Sequence, residues 1–308
     1  MRRLCGLHSH FRHLRLGRMR HVRRLTASGC RWLSTLDGVE DRYRGVHVDL
    51  AKQPLDTQSP ESFQKVLRDS VSEWKQDGCV AIWLRVPILA SSLIPIAASE
   101  GFEFHHAEGD YSVLCQWLQT DTHSRLPPFA THQVGVAGCV LRDDTKEVIV
   151  VKDKHRSHTL WKFPGGLSEV GEDIGVTAER EVFEETGVKT ECRGILAFRQ
   201  QHRHPGAFGR SDLYFVCHLV PLTFDLHPCA IEIDECRWIG LAELEHQKPL
   251  PALMLRVLQL VRQGLHDGFE NVVLEPENCK SMYVGNMFKM YNTPFLRTRE
   301  AVGEANTG

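Results

Sequence analysis

Hydrophobic positions along this chain recur with two periods, about two residues in some stretches and about 3.6 in others, the marks of strands and helices respectively. Val46 to Leu50 alternates and predicts a short strand. Ser59 and Pro60 open a predicted helix in which Phe63, Val66, Leu67, Val71 and Trp74 keep helical spacing, and Gly78 ends it. Cys79 to Val86 is dense in strand formers, and Leu89 to Glu100 predicts a second helix stopped by Gly101. Phe102 to Ala107 and Tyr111 to Leu118 predict two strands joined through Glu108, Gly109 and Asp110. Thr122 to Thr131, with Pro127 and Pro128, is polar and turn-prone and marks a domain boundary.

Beyond it, His132 to Leu141 predicts a strand paired with Glu147 to Val151 through a turn at Asp143 to Lys146. Lys152 to Leu160 follows as a charged loop. Cys192 to Arg199 and Asp212 to Leu219 predict strands, and Cys229 to Trp238 places several acids just before another. Pro251 to Gly264 predicts a helix whose Met254, Val257, Leu258, Val261 and Leu265 form a packing stripe, a core face and not a cofactor box. After Asn271 the pattern thins, and Thr298 to Gly308 reads as a frayed end. The pattern describes two α/β domains, residues 42–124 and 130–270, between a leading segment of residues 1–36 and a C-terminal extension of residues 271–308.

Composition changes this picture at one end only. Residues 1–36 hold nine Arg and no Lys, Asp or Glu, with Ser, Thr and apolar residues interspersed, the make-up of a mitochondrial transit peptide. A basic arm for RNA or anionic lipid is the rival reading, with cytoplasm and nucleus as the alternative location. Without those nine arginines, 28 basic residues face 39 acidic ones, so the formal charge moves from −2 to −11. An acidic body argues against non-specific nucleic-acid binding. No apolar run approaches the length of a membrane-spanning helix. The ten cysteines show neither CxxC pairs nor zinc-ligand spacing, which predicts reduced thiols.

The candidate chemistry is concentrated between Gly166 and Val188. Glu172, Glu179, Glu181, Glu184 and Glu185 fall within fourteen residues, and Arg180 precedes the closing cluster. In a helix, Glu181, Glu184 and Glu185 stand at i, i+3 and i+4 on one face, with Ala178, Val182 and Phe183 on the other. Like charges so placed repel and call for a cation. Carboxylate oxygens suit Mg²⁺ or Mn²⁺, ions that commonly bridge a protein to phosphate. Pro164, Gly165 and Gly166 allow a tight turn with backbone close to a ligand, Asp173 stands where an N-cap opens the helix, and Gly187 where a C′ glycine closes it.

Gly166, Glu172, Arg180, Glu181, Val182, Glu184, Glu185, Gly187 and Val188 meet every fixed position of the Nudix box, so the stretch resembles the Nudix hydrolases. That resemblance implies an α/β/α sandwich that hydrolyses a nucleoside diphosphate linked to another moiety, with Mg²⁺ or Mn²⁺ held by Glu181, Glu184, Glu185 and Glu172. It implies that Arg180 fixes the glutamates, and that the base is a box glutamate such as Glu184 or is Glu232, with Glu235 as the alternative to Glu232. Gly165, Gly166, Arg199 and Gln201 are the candidate substrate contacts; for the loop Gln200 to Arg210, a solvated role is the rival reading. ADP-ribose-like and NADH-like nucleotides are the leading substrate classes, with FAD, CoA, dinucleoside polyphosphates or capped RNA as others.

Residues 101–111, GFEFHHAEGDY, resemble the smaller N-terminal domain of the longer Nudix hydrolases, which is similar to an acyltransferase-like fold. No glycine-rich pyrophosphate loop supports acetyl-CoA chemistry there, so a scaffold or homodimerisation role is expected. Strand alternation sends His105 and His106 to opposite faces, against a shared metal ion. The competing functional class is a weakly catalytic binding module that regulates, for instance, proliferation. Its usual mark is loss of box glutamates, and none is lost here.

Overall fold

The computed structural model describes residues 35–53, 59–154, 160–203, 207–281 and 287–293. They divide into two units between Phe129 and Ala130. The leading segment, apart from its last two residues, lies outside the described residues.

The first unit is a five-stranded sheet with its helices packed into one core. Its elements are β1 (Val39–Glu40), β2 (Gly45–Asp49), α1 (Pro60–Gln76), β3 (Ala81–Pro87), α2 (Ile94–Ser99), β4 (Glu103–Glu108) and β5 (Tyr111–Trp117), in the sheet order β1-β2-β3-β5-β4. The Ser59 side chain caps α1 by accepting from the Ser62 N–H, and Pro60 fills the first turn, where its missing N–H costs nothing. The predicted stripe is the buried one: Phe63, Leu67 and Trp74 pack against Ile82, Leu84 and Val86 of β3. Leu36 belongs to this core at 3% exposure, its N–H donating to Ser70 Oγ at 2.7 Å. The folded unit therefore begins ahead of residue 42, inside the span assigned to the leading segment.

Two expectations fail here for local reasons. Leu89 to Glu100 does not form one α-helix: Ile88–Leu93 is a 3₁₀ segment and α2 starts at Ile94, because Pro95 lacks the N–H that an α-helix interior needs. A β-bulge between Phe104 and His106 breaks the alternation of β4, so His105 and His106 share a side and their Nδ1 atoms lie 2.7 Å apart. Phe129 stacks on His106, and the Pro127 carbonyl lies 2.9 Å from His105 Nε2.

The second unit has one mixed sheet between helices. Its strands are β6 (His132–Arg142), β7 (Glu147–Asp153), β8 (Gly165–Leu167), β9 (Thr190–Gln201), β10 (Ser211–Pro221) and β11 (Ile233–Gly240). They run in the order β11-β7-β6-β10-β9, with β8 on β6; β6 and β10 are parallel, the other pairs antiparallel. The helices are α3 (Ile174–Thr186), α4 (Leu241–His246) and α5 (Ala252–Asp267). Ala178 and Val182 of α3 pack with Val136, Val140, Cys217 and Leu219 in one core. Met254, Val257, Leu258 and Val261 of α5 join Ala137, Cys139, Val148 and Val150 in another. Successive residues of β6 serve alternate cores, the period of two that puts a helix layer on each face.

The chain does not thin out at Asn271. Val273 is buried, and β12 (Glu275–Lys280) pairs with β13 (Met287–Asn292) as a hairpin whose Tyr291 packs against the α3 core.

Candidate active site

β8 and the turn after it bring the Gly166 to Val188 stretch onto α3. Gly165 pairs with Ala137, and a Cβ on Gly165 would meet the Val136 carbonyl oxygen at 2.2 Å, so only glycine fits between these strands. A Cβ on Gly166 would sit 2.6 Å from Glu181 Oε2, so this backbone lies directly against a box carboxylate. Gly187 adopts φ 77° and ends α3 as expected. Asp173 does stand at the N-cap, but its side chain makes no capping bond; Lys289 of β13 takes it, Nζ to Oδ2 2.8 Å. Phe183, expected on the apolar side, is 49% exposed.

Arg180 is the centre of the arrangement. Its Nε and Nη2 donate to the two oxygens of Glu172 at 2.8 and 2.9 Å, and Nη1 donates to Glu181 at 2.8 Å and Glu184 at 3.2 Å. Nη2 also reaches the Leu167 carbonyl at 3.1 Å, tying the helix to β8. Paired with this guanidinium, and accepting from Thr177 Oγ and the Glu169 N–H, the Glu172 carboxyl is held down to about 2. Burial pushes the Glu181 carboxyl up, with Arg180 pulling against it.

Glu185 stands apart from this group. Burial raises its carboxyl, which accepts from Lys162 Nζ at 3.3 Å and the Gly165 N–H at 3.0 Å. Lys162 in turn pairs with Asp153 at 2.7 Å. The sequence reading missed Lys162; its place in the WKFPGG run just before the glycines was the available signal.

Of the other expected residues, Glu232 is exposed in the turn before β11, its carbonyl accepting from the Lys154 N–H. No described hydrogen bond or ion pair joins its side chain to the Gly166 to Val188 stretch. Glu235 is occupied by Lys152 at 2.6 Å and Arg237 at 2.8 Å. Arg199 lies on β9 as expected, Gln201 lies there too and not in the loop, and the two bond to each other; Arg199 also pairs with the buried Asp212 at 3.2 Å and lies over the Tyr214 ring. Tyr214 packs on Gly135, next to the Gly166 carbonyl. Asp212 and Tyr214 had no signal in the sequence beyond their place on a strand.

Among the described residues no three acidic, histidine or cysteine side chains converge on one cation position, because Arg180 stands amid the carboxylates. The donor set nonetheless fits a hard divalent ion. Three carboxylates face one guanidinium, all donors are oxygen, and Glu181 and Glu184 each engage Arg180 through one oxygen only. Glu172 commits both of its oxygens to Arg180, which suits it better to holding that arginine than to ligating metal.

Two family profiles match, one described as Nudix hydrolase domain over residues 36–118 and one as NUDIX domain over residues 131–261. The nucleoside diphosphate-linked moiety X motif 6 protein of Homo sapiens is 46% identical over 258 residues, covering 83% of this chain and 81% of that protein. The chain belongs to the Nudix hydrolase family. The like-named protein of Mus musculus is 45% identical over 88% of this chain and 87% of its own length. Nudix hydrolase 8 of Arabidopsis thaliana is 39% identical over 87% of this chain and 72% of its own. The sheet between α3 and α5 is thus the Nudix α/β/α sandwich, accompanied by a smaller N-terminal α/β unit, and the chain is a Nudix pyrophosphohydrolase.

Proposed function

We propose that this Nudix hydrolase requires Mg²⁺ or Mn²⁺ and cleaves the pyrophosphate of a nucleoside diphosphate joined to a second moiety, with ADP-ribose-like and NADH-like nucleotides as leading substrates. The observation that carries the reading is the intact box assembled around Arg180, with Glu181 and Glu184 presented beside the Gly165-Gly166 backbone. The relatives named for a nucleoside diphosphate-linked moiety support the substrate class.

Glu181 and Glu184 would hold the divalent ion, joined by Glu185 when Lys162 yields its oxygen. Bound there, the ion would neutralise the pyrophosphate oxygens and lower the pKa of an attacking water. The residues of the chain supply the rest. Arg180 fixes Glu181 and Glu184 through charge-assisted hydrogen bonds, and Glu172 and the Leu167 carbonyl fix Arg180. Glu184, with its side chain 57% exposed, would take the proton of incoming water; Glu232 would serve as base only on closing towards the site from its exposed turn. Arg199 and Gln201 contact substrate beside Tyr214, and the Gly165-Gly166 backbone contacts its phosphates. We further propose that residues 1–36 direct the chain to the mitochondrion.

The test is product release from ADP-ribose, NADH, FAD, CoA, dinucleoside polyphosphates and capped RNA, with and without Mg²⁺ or Mn²⁺, for the chain and its Glu184→Gln variant. The expected outcome is ion-dependent turnover of one class that the variant lacks. Binding without cleavage by either protein would make the fold a nucleotide-binding module instead.

A further inference from the structure

Two rows of residues cross the Nudix sheet from its edge at β9, over β10, to β6. Strand register aligns Gln201, Asp212 and Gln133 in one row and Arg199, Tyr214 and Gly135 in the next. Residues two apart on a strand share a face, so all six lie on one side of the sheet. It is the side on which Tyr214 packs against the α5 core.

The second row is a stack and the first row holds it. A Cβ on Gly135 would meet Cδ2 of Tyr214 at 2.7 Å, so the glycine makes room for the ring. Arg199 lies over that ring, its Cζ 5.1 Å from the centroid and within range of cation–π attraction. Bonds to the guanidinium lie in its plane, and two of them fix its edge: Nη1 donates to Gln201 Oε1, and Nη2 to Asp212 Oδ2 at 3.2 Å. The other oxygen of Asp212 accepts from Gln133 Nε2 at 3.1 Å.

Charge and position decide what this stack suits. The Asp212 side chain is 4% exposed, so its carboxylate needs the guanidinium beside it, and the ion pair is neutral as a whole. Arg199 nevertheless keeps 36% of its side chain exposed. A planar cation fixed at its edge, backed by an aromatic ring and neutralised by a carboxylate, suits a flat heteroaromatic ring and suits a phosphate poorly. Gly135 also joins the stack to the box: its missing Cβ would stand 3.6 Å from the Gly166 carbonyl oxygen, and that of Gly166 2.6 Å from Glu181 Oε2. Since β10, β6 and β8 are neighbours, Tyr214 is about two strand spacings, ~10 Å, from the Gly166 backbone. That is the separation between the base and the phosphates of one nucleotide.

We propose that Arg199, held on Tyr214 by Asp212 and Gln201, is the surface on which the base of the nucleotide stacks, and that Asp212 sets this subsite against a further phosphate. The inference rests on the nucleoside diphosphate substrate proposed above and adds the subsite for its base. Asp212 is then a specificity-determining residue. An unpaired arginine beside a base would also take a phosphate on the adjoining ribose, whereas the paired one does not, so the chain binds NADH in preference to NADPH, which carries that phosphate.

The test is isothermal titration calorimetry of the full chain in EDTA, where binding is read without turnover, with ADP-ribose, NADH, NADPH and the base-free ribose 5-phosphate. ADP-ribose is expected to bind more tightly than ribose 5-phosphate by roughly 5–150-fold, the range for stacking one base. Arg199→Met should remove that difference and leave ribose 5-phosphate unchanged. Asp212→Asn, which keeps the shape and frees the cation, should raise NADPH affinity relative to NADH by about 10-fold. Gln201→Glu, which sets a second carboxylate on the guanidinium, should move the ratio the other way; being only half-buried, it decides the matter if Asp212→Asn does not fold. A native chain that binds ADP-ribose no more tightly than ribose 5-phosphate, or an Arg199→Met chain that binds ADP-ribose as the native one does, overturns the subsite. A ratio that stays fixed, or moves the same way in both charge variants, overturns the role of Asp212. Cleavage of the same nucleotides with Mn²⁺ is scored separately. Binding lost in Arg199→Met with no cleavage by the native chain counts against the hydrolytic reading and keeps the subsite, whereas cleavage by a chain whose binding ignores Arg199 does the reverse.

Discussion

Arg180 donates to three carboxylates and a backbone carbonyl at once, a task its planar fork can perform and a lysine ammonium cannot. Arg180→Lys keeps the charge but leaves Glu172, Glu181 or Glu184 without its bond. Losing hydrogen bonds to charged groups costs ~1.5–3 kcal/mol, and loss of a group that orients metal ligands costs about 10–100-fold in metal affinity or activity. The expected result is therefore a modestly lower Tm and a much larger fall in kcat/KM at saturating Mg²⁺; equal kinetics for the two proteins would remove Arg180 from the machinery. A second residue makes stability depend on pH. His218 is buried on β10 against the Phe269 ring, 4.0 Å between centroids, and burial lowers its imidazole from the ordinary 6.5 to about 4. Its proton binds the unfolded chain near 6.5 and the folded chain only near 4, so the stability it contributes is complete above the first value and is lost as pH falls towards the second. At about 1.4 kcal/mol per pKa unit the loss approaches ~3 kcal/mol. Urea midpoints measured from pH 7 down to pH 4 are expected to fall, and His218→Gln to flatten that slope; parallel slopes would assign the acid sensitivity elsewhere.

At the scale of the element, α3 owes its position to the sheet beneath it. A Cβ on Gly138 of β6 would stand 2.2 Å from Leu219 Cδ1 and 2.4 Å from Val182 Cγ2, so this glycine lets the helix approach. Gly138→Val would push α3 outward, at an overpacking cost of about 1–3 kcal/mol, and move Arg180 and its glutamates with it. Ion-dependent turnover should fall together with Tm, whereas Gly240→Ala, where no atom lies within 4 Å of the new Cβ, should leave both unchanged. A Gly138→Val protein with normal turnover would mean that α3 tolerates the shift. The elements that position the site were legible where period and punctuation agree. Ser59-Pro60 before the α1 stripe, the α5 stripe from Met254 to Leu265, and Gly187 after α3 all did so. What escaped was set by tertiary contacts. The bulge that unites His105 with His106 leaves no mark in the amino-acid sequence, and α4, at six residues, is too short to show a period. Of the hairpin strands, β12 reads as polar and β13 keeps Met287, Phe288 and Met290 exposed, so neither sequence shows the alternation of a half-buried strand. Helical spacing placed Glu181, Glu184 and Glu185 on one face, but Glu185, five residues on from Arg180, bonds instead to Lys162 and the Gly165 N–H, partners that helical spacing does not encode.

For the molecule as a whole, charge sets the leading segment apart from the rest of the sequence. The described core begins at Leu36, and the arginines before it have no acidic neighbours in sequence to neutralise them. A run of one sign responds to an electrical potential and to anionic surfaces. With the segment removed, the formal charge of −11 leaves no bulk attraction for a polyphosphate. The proposal that residues 1–36 are a mitochondrial address therefore makes a joint prediction. A chain tagged at its C-terminus should reach the matrix and be recovered shortened near residue 35, and a chain starting at residue 35 should stay in the cytosol with hydrolysis intact. Recovery of the long form in cytoplasm and nucleus, with RNA or anionic lipid bound only when the arginines are present, would make the segment a binding arm and keep its −2 overall charge in the working enzyme.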